Sequence, residues 1–291
     1  MNNLPVSIVI LTYNGKELLK ENLPTVIDAV RTRNFIDEII VVDNGSTDGT
    51  EPFLREHSNT LKILRLPANQ SVGVAYNIAV KACSHRIVIL LNNDVRVNPG
   101  FIEPLIQHFL RRNIFSVSSL NSNSIRNTTN LSPPHFILYS GGHAAYDRQK
   151  FLELGGFHPI YGRYYYEDRD LGYRAWKRGW RSLCEPASLV YHQGEGTIKR
   201  EPKRSVRQLR FRNRMIFFLS CYDSLWTALS PIVCSILHTF FCLRPYLLKE
   251  LIWIYQHRGI IVKKRRADQP FWKLSDKQVK KIIHSPFWLE E

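Results

Sequence analysis

Three carboxylates stand where short polar residues interrupt strongly patterned sequence, and each fits a different chemistry. Asp43 follows the apolar run Ile39–Val42 and precedes Asn44-Gly45-Ser46, at the tip of a buried strand. It either caps that turn or accepts a hydrogen bond from a ligand held beyond the strand. Asp94 follows Ile87–Leu91 through Asn92 and Asn93. A carboxylate there suits a hard divalent cation, Mg²⁺ or Mn²⁺, which keeps several waters and also takes phosphate oxygens. Asn93 offers an amide to a ribose hydroxyl or a metal-bound water. The plain alternative is that Asp94 only ends a strand before a turn. Asp168, beside Glu167, opens a helix preceded by Tyr164, Tyr165 and Tyr166. Helix starts favour acids in any case. Asp168 shares a stripe with Leu171 and Ala175, however, and a carboxylate turned toward a cleft is a general-base candidate. Asp170 and Arg174, four apart, are expected to pair on the surface.

The elements that must position these groups alternate. Strands are expected at Val6–Tyr13, Glu38–Asp43, Leu61–Leu66 and Arg86–Leu91, and helices at Lys16–Arg31, Thr47–Glu56 and Val72–Ala82. Pro99 opens a further helix, and a helix from Glu167 ends near Gly179. Ala187–Tyr191 reads as a short strand. Such short-spaced alternation predicts an α/β fold with a doubly wound, mainly parallel sheet. In such sheets ligands bind beyond the carboxyl ends of the strands, where Thr12, Asn14, Asp43, Asn69 and Asp94 would gather. The Ser/Asn/Thr-rich stretch Ser116–Pro134 reads as a loop. Trp176 and Trp180 are expected in the core, and the three tyrosines could line a cleft for an acceptor.

Composition narrows the function. The chain has 291 residues and a net charge of +15. Residues 199–291 hold 19 Lys and Arg against 7 Asp and Glu, a net +12, and residues 1–198 hold 21 against 18, a net +3. The basic character therefore belongs to the tail. Cys83, Cys184, Cys221, Cys234 and Cys242 show no zinc spacing, and reduced thiols in a cytosolic setting are the simplest reading. No signal peptide is expected, so the acceptor-like Asn44 and Asn127 sequons carry no weight. Thr12-Tyr13-Asn14-Gly15 is neither a dinucleotide fingerprint nor a phosphate loop, and it lacks the Gly-rich basic loop that a sugar nucleotidyltransferase would want. The tail lacks zinc-finger, helix-turn-helix and aromatic RNA-binding patterns, so no nucleic-acid partner is expected.

Over about residues 5–215 the chain resembles the family-2 glycosyltransferases with the GT-A nucleotide-diphospho-sugar transferase fold. The resemblance rests on an ordered set: Ile8–Asn14, Val41–Thr50, Asn69 with Gly73 and Asn77, Leu90–Asp94, Gly155-Gly156-Phe157, Glu167-Asp168, Arg174 with Gly179, and Tyr191-His192 with Gly194. It implies that Thr12, Tyr13 and Asn14 line a nucleotide pocket and that Asp43 bonds the base. Asn69, Gly73 and Asn77 would shape the loop beneath base and ribose, with Asn93 near the ribose. Asp94 would be the last acid of the family's D-x-D motif and would hold a divalent metal. Asn92 and Asn93 replace the earlier carboxylate, so weaker metal binding is expected, with a non-catalytic relative as the alternative. His192 would lie near the metal or the diphosphate. Glu167 and Asp168 would be catalytic, with Asp168 the base. Arg212-Asn213-Arg214 would touch phosphates. The implied reaction is inverting transfer from a nucleotide-sugar donor to a glycan or polyprenyl-linked acceptor, as in bacterial surface-polysaccharide synthesis, with a rhamnosyltransferase-like role one option.

The chain divides into a catalytic unit, residues 1–198, and a basic helical extension, residues 199–291. Met215–Leu243 carries Asp223 as its only formal charge. Helices lying in an anionic membrane interface are expected there, with Trp226, Phe240, Phe241 and Trp253 inserted and Lys263–Arg266 on headgroups. That places the protein peripherally at the cytoplasmic face of a bacterial membrane. The alternative is a small helical unit packed on the catalytic core.

Overall fold

The computed structural model describes residues 4–33, 35–122, 133–192, 194, 202–224, 233 and 247–285. Asn127, Cys234, Cys242, Trp226, Phe240 and Phe241 lie outside the described residues.

Strand β1 (Val6–Thr12) is buried at every position. Its neighbours β2 (Glu38–Asp43) and β4 (Ile87–Asn92) are nearly as dry. Continuous apolar runs are what strands covered on both faces require. Alternate residues of β1 serve different layers. Val6, Ile8 and Ile10 pack with Leu19, Leu23 and Val26 of α1 (Lys16–Arg31). Val9 and Leu11 pack with Ala75, Tyr76 and Ala79 of α3 (Val72–Ala82). With β3 (Lys62–Arg65) and the short α2 (Thr50–Arg55), these elements form the parallel half of the sheet.

The second half is mixed. The strand order is β3-β2-β1-β4-β8-β6-β9-β5, with β7 (His135–Phe136) paired to β9. Here β5 is Val95–Val97, β6 is Ile114–Asn121, β8 is His143–Asp147 and β9 is Arg181–His192. Strand β8 runs antiparallel to both β4 and β6, whereas β6 and β9 are parallel. Two expectations change. The helix after Pro99 starts only at Ile102, as α4 (Ile102–Ile106). The serine-rich stretch begins as the buried strand β6, not as a loop. Its hydroxyls find one another across the sheet: Ser116 with Ser140 and Ser182, and Ser119 with Ser188, each at 2.8 Å. Paired hydroxyls remove most of the cost of burying serine.

The helix that opens on Glu167 and Asp168 is α6 (Glu167–Lys177), preceded by α5 (Arg148–Glu153). The C-terminal helices are α7 (Lys203–Cys221), α8 (Leu248–Gln256), α9 (Arg258–Asp268) and α10 (Asp276–Ile283). Met215, Ile216, Phe217, Ile254, Ile261 and Val279 join the same apolar cluster as β1 and Trp176 of α6. Among the described residues, no helix is long and apolar enough to cross a membrane.

Asp170 and Arg174 do not pair on the surface. Both are buried, with Arg174 Nε 2.7 Å from Asp170 Oδ2. Lys264 reaches in from α9 to Asp170 Oδ1 at 2.7 Å, and the Tyr161 hydroxyl donates to that oxygen at 2.8 Å. Arg174 also donates to the carbonyls of Leu154 and Gly156 at 2.6 and 2.7 Å. One buried ionic cluster thus ties the tail, α6 and the Gly155-Gly156-Phe157 turn together.

Candidate active site

The loops after β1 and β2 are stitched to each other before they meet anything else. Asn14 adopts a left-handed φ of 47°. Its side-chain oxygen accepts from Thr47 N at 2.8 Å, and its own N–H donates to Ser46 Oγ at 2.9 Å. Asp43 is fully buried. Its Oδ1 accepts from Ser46 N at 2.9 Å, while Oδ2 has no hydrogen-bond partner among the described residues and lies 3.8 Å from Arg65 Nε. Asn44 carries the stitching onward: its amide donates to Asn69 Oδ1 and to the Gln70 carbonyl, both at 3.0 Å. Asn44 was overlooked in the sequence, although its place directly after Asp43 was the available signal.

The Asn92-Asn93-Asp94 run divides its work. Asn92 Oδ1 accepts from the Tyr76 hydroxyl at 3.1 Å and faces Gly142, where a Cβ would come within 2.5 Å of that atom. Asn93 donates to Thr12 Oγ1 at 2.8 Å, and its carbonyl accepts from Asn22 at 3.0 Å. Asp94 Oδ1 lies 3.1 Å from His192 Nε2, because β5 pairs Val95 against His192. His143, with its ring centroid 5.8 Å from that of His192, is held to a pKa of about 4 by burial and by its histidine neighbour. One carboxylate and one imidazole are a workable donor set for a divalent cation that takes its remaining ligands from water and phosphate. Among the described residues, no cluster of three or more His, Cys, Asp or Glu residues could hold a metal without such help.

The start of α6 is built differently. Tyr165 and Tyr166 both have φ of 74°, a costly conformation for side chains of this size. Asn213 of α7 over-determines it: its amide donates to the carbonyls of Tyr161 and Tyr165 at 2.8 Å and of Tyr164 at 3.2 Å. The turn presents Glu167 and Asp168 side by side and half-buried. Asp168 Oδ1 accepts from Arg169 N at 2.6 Å, and Glu167 Oε2 is buried without a hydrogen-bond partner among the described residues. Burial raises both carboxyls, and the charge of Asp168 raises Glu167 further; Asp168 is pushed up to about 6 and Glu167 to about 8.

A cavity of about 1140 Å³ brings Thr12, Tyr13, Asn69, Asn93, Asp94 and His192 together with Glu167 and Asp168. Other expected site residues lie behind this surface. Asn14 and Asp43 hold the loops. Gly73 faces Phe157, whose Cβ a side chain at position 73 would meet at 2.7 Å. Asn77 clamps the same residue, donating to the Phe157 carbonyl at 2.8 Å and accepting from its N–H at 2.9 Å. Arg212 does not line the cavity: it lies over Trp253 at 4.4 Å, with Glu250 3.6 Å away. Arg210, two positions earlier on α7, lines it instead.

Comparison with known proteins agrees with this architecture. Residues 7–167 match the model of "Glycosyl transferase family 2". The chain is 23% identical to a putative polypeptide N-acetylgalactosaminyltransferase 10 of Drosophila melanogaster, over 68% of its own length and 38% of the relative. It is 24% identical to N-acetylglucosaminyl-diphospho-decaprenol L-rhamnosyltransferase of Mycobacterium tuberculosis, over 65% of its own length and 77% of the relative. The chain thus spans well under half of the first of these relatives. The mannosyltransferase PcManGT of Pyrobaculum calidifontis, solved with GDP-Man and Mn²⁺, superposes with a TM-score of 0.60 at 20% identity, covering 75% of this chain and 64% of that one. S. aureus TarS 1–349, solved with UDP-GlcNAc, gives 0.58 at 16% identity, covering 77% and 69%. The chain belongs to glycosyl transferase family 2 and has the GT-A fold.

Proposed function

We propose that the protein is an inverting, metal-assisted glycosyltransferase that moves a sugar from a nucleotide-diphosphate donor to a hydroxyl of a glycan or lipid-linked acceptor. The observation that carries this reading is one cavity holding both the Asp94–His192 pair and Asp168, a carboxylate whose acidity burial has weakened. Solved relatives carrying GDP-Man with Mn²⁺, and UDP with GalNAc and Mn²⁺, support a nucleotide-sugar donor and a divalent metal. The decaprenol-linked acceptor in a relative's name supports a lipid-linked acceptor.

In the proposed reaction the acceptor oxygen attacks the anomeric carbon. A new C–O bond forms as the bond to the diphosphate breaks, and the nucleoside diphosphate leaves with the electron pair. Asp168 accepts the acceptor's proton, and a raised pKa makes it a better base near neutrality. A divalent cation held by Asp94 and His192 would neutralise charge on the departing diphosphate. The test is nucleoside diphosphate release from UDP-, dTDP- and GDP-sugars with short lipid-linked and glycan acceptors. Wild type should release it with inversion at the anomeric carbon, and Asp168→Asn should not. Retained configuration, or full activity in the variant, would remove Asp168 from the role of base.

The tail supports a peripheral membrane reading. Leu248, Ile252 and Tyr255 make an exposed apolar stripe on α8, and Lys249, Arg258, Lys263 and Arg266 are exposed around it. Apolar insertion flanked by cations suits an anionic lipid surface.

A further inference from the structure

Of the three described arginines that line the cavity, Arg169 and Arg210 are held in place by tyrosines and have no part in the transfer proposed above. Arg169, directly after the base, lies over the rings of Tyr139 and Tyr166 at 4.9 and 5.0 Å and donates to the Tyr139 hydroxyl at 3.1 Å. Arg210, from α7, lies over the ring of Tyr165 at 4.2 Å and donates to its hydroxyl at 2.7 Å. Both line the cavity. Among the described residues their side chains bond tyrosine hydroxyls and lie on aromatic faces; Arg169 also feels the charge of Asp168, yet neither guanidinium makes a carboxylate ion pair there, so both are oriented with donors to spare. Each described hydrogen bond engages one nitrogen of a planar fork that carries five N–H donors. Such a fork matches the paired oxygens of a phosphate.

Position decides which substrate brings the anion. The donor's diphosphate already has a place at Asp94 and His192. Tyr165, which holds Arg210, and Tyr166, under Arg169, immediately precede Glu167 and Asp168, and Asp168 must meet the acceptor hydroxyl. We propose that Arg169 and Arg210 form a seat for a phosphate or diphosphate group on the acceptor, so that the acceptor is a phosphate-bearing molecule whose free hydroxyl faces Asp168. This rests on the donor and base assignment above and narrows the acceptor class.

The probe is inorganic pyrophosphate, titrated calorimetrically into the full chain in EDTA so that no cation bridges it to Asp94. Binding is expected, weakened about tenfold or more in Arg210→Gln and recovered in part in Arg210→Lys. Asp94→Asn should leave it unchanged. Arg210 is exposed, and equal melting temperatures would establish that its variants remain folded. Geranyl diphosphate and glucose 6-phosphate then separate a lipid carrier from a phosphorylated sugar, the tighter competitor naming the source. Absence of binding, indifference to Arg210→Gln, failure of both competitors, or displacement of pyrophosphate by UDP, dTDP or GDP would each overturn the acceptor seat. Retained pyrophosphate binding in a protein that binds no nucleotide with Mn²⁺ would instead overturn the donor reading.

Discussion

Asp168 and Asp170 lie two positions apart on one helix, yet their surroundings move their acidities in opposite directions. Burial raises Asp168, and the backbone N–H and the charge of Arg169 only partly offset it. Burial would raise Asp170 too, but Arg174 and Lys264 outweigh it and hold that carboxyl well below its usual range. A proposed base must be ionised to act, so with Asp168 in that role transfer should fall as pH drops through about 6, not through the ordinary aspartate value near 4. A pH–rate profile of kcat/KM checks this. Asp168→Asn should lower kcat by roughly 10²–10⁴-fold with nucleotide affinity kept. Glu167, raised to about 8, favours its neutral form in the fold, so its cost to stability grows as pH rises from about 4.5. Glu167→Gln should therefore melt higher than wild type, by a margin that widens from pH 5 to pH 8; thermal melts at both values decide it. The carboxylate motifs were legible because strand-end and helix-start patterns are local. The burial of Asp170 was not, since an i,i+4 pair looks the same on a surface as in a core. Its partner Lys264 lies in a distant helix.

At the scale of elements, α6 carries the proposed base and is fixed from two sides. Asn213 pins the tyrosine turn before it, and Lys264 reaches Asp170 within it. Removing one member of a buried ionic cluster leaves uncompensated charge. Lys264→Met should destabilise the protein by about 3–5 kcal/mol, toward the lower figure because Arg174 keeps its bond to Asp170, as denaturant titration would show. Strands β1, β2 and β4 were readable from their apolar runs. Strand β6 was not, because serine carries a loop signal unless other hydroxyls meet it, and those come from Ser140, Ser182 and Ser188. The antiparallel insertion of β8 between β4 and β6 likewise leaves no local trace. Gly73 and Asn77 were legible as motif members, but they pack Phe157 instead of lining the cavity.

For the whole molecule, the parallel half of the sheet gathers strand ends and the second half, with the C-terminal helices, supplies α6 and its supports. The described tail helices share the core while leaving an apolar and basic face outward. Sedimentation with phosphatidylglycerol vesicles should capture the protein in a salt-sensitive way, and phosphatidylcholine vesicles should not. Replacing Ile252 and Tyr255 with Ser should weaken that capture. The most direct measurement of the central claim is calorimetric titration of UDP, dTDP and GDP, with and without Mn²⁺, into wild type and Asp94→Asn. One nucleotide should bind tightly only with Mn²⁺, and Asp94→Asn should lose that dependence. If folded wild-type protein binds none of them, or binds one equally well without metal and in Asp94→Asn, the metal-assisted donor site is contradicted.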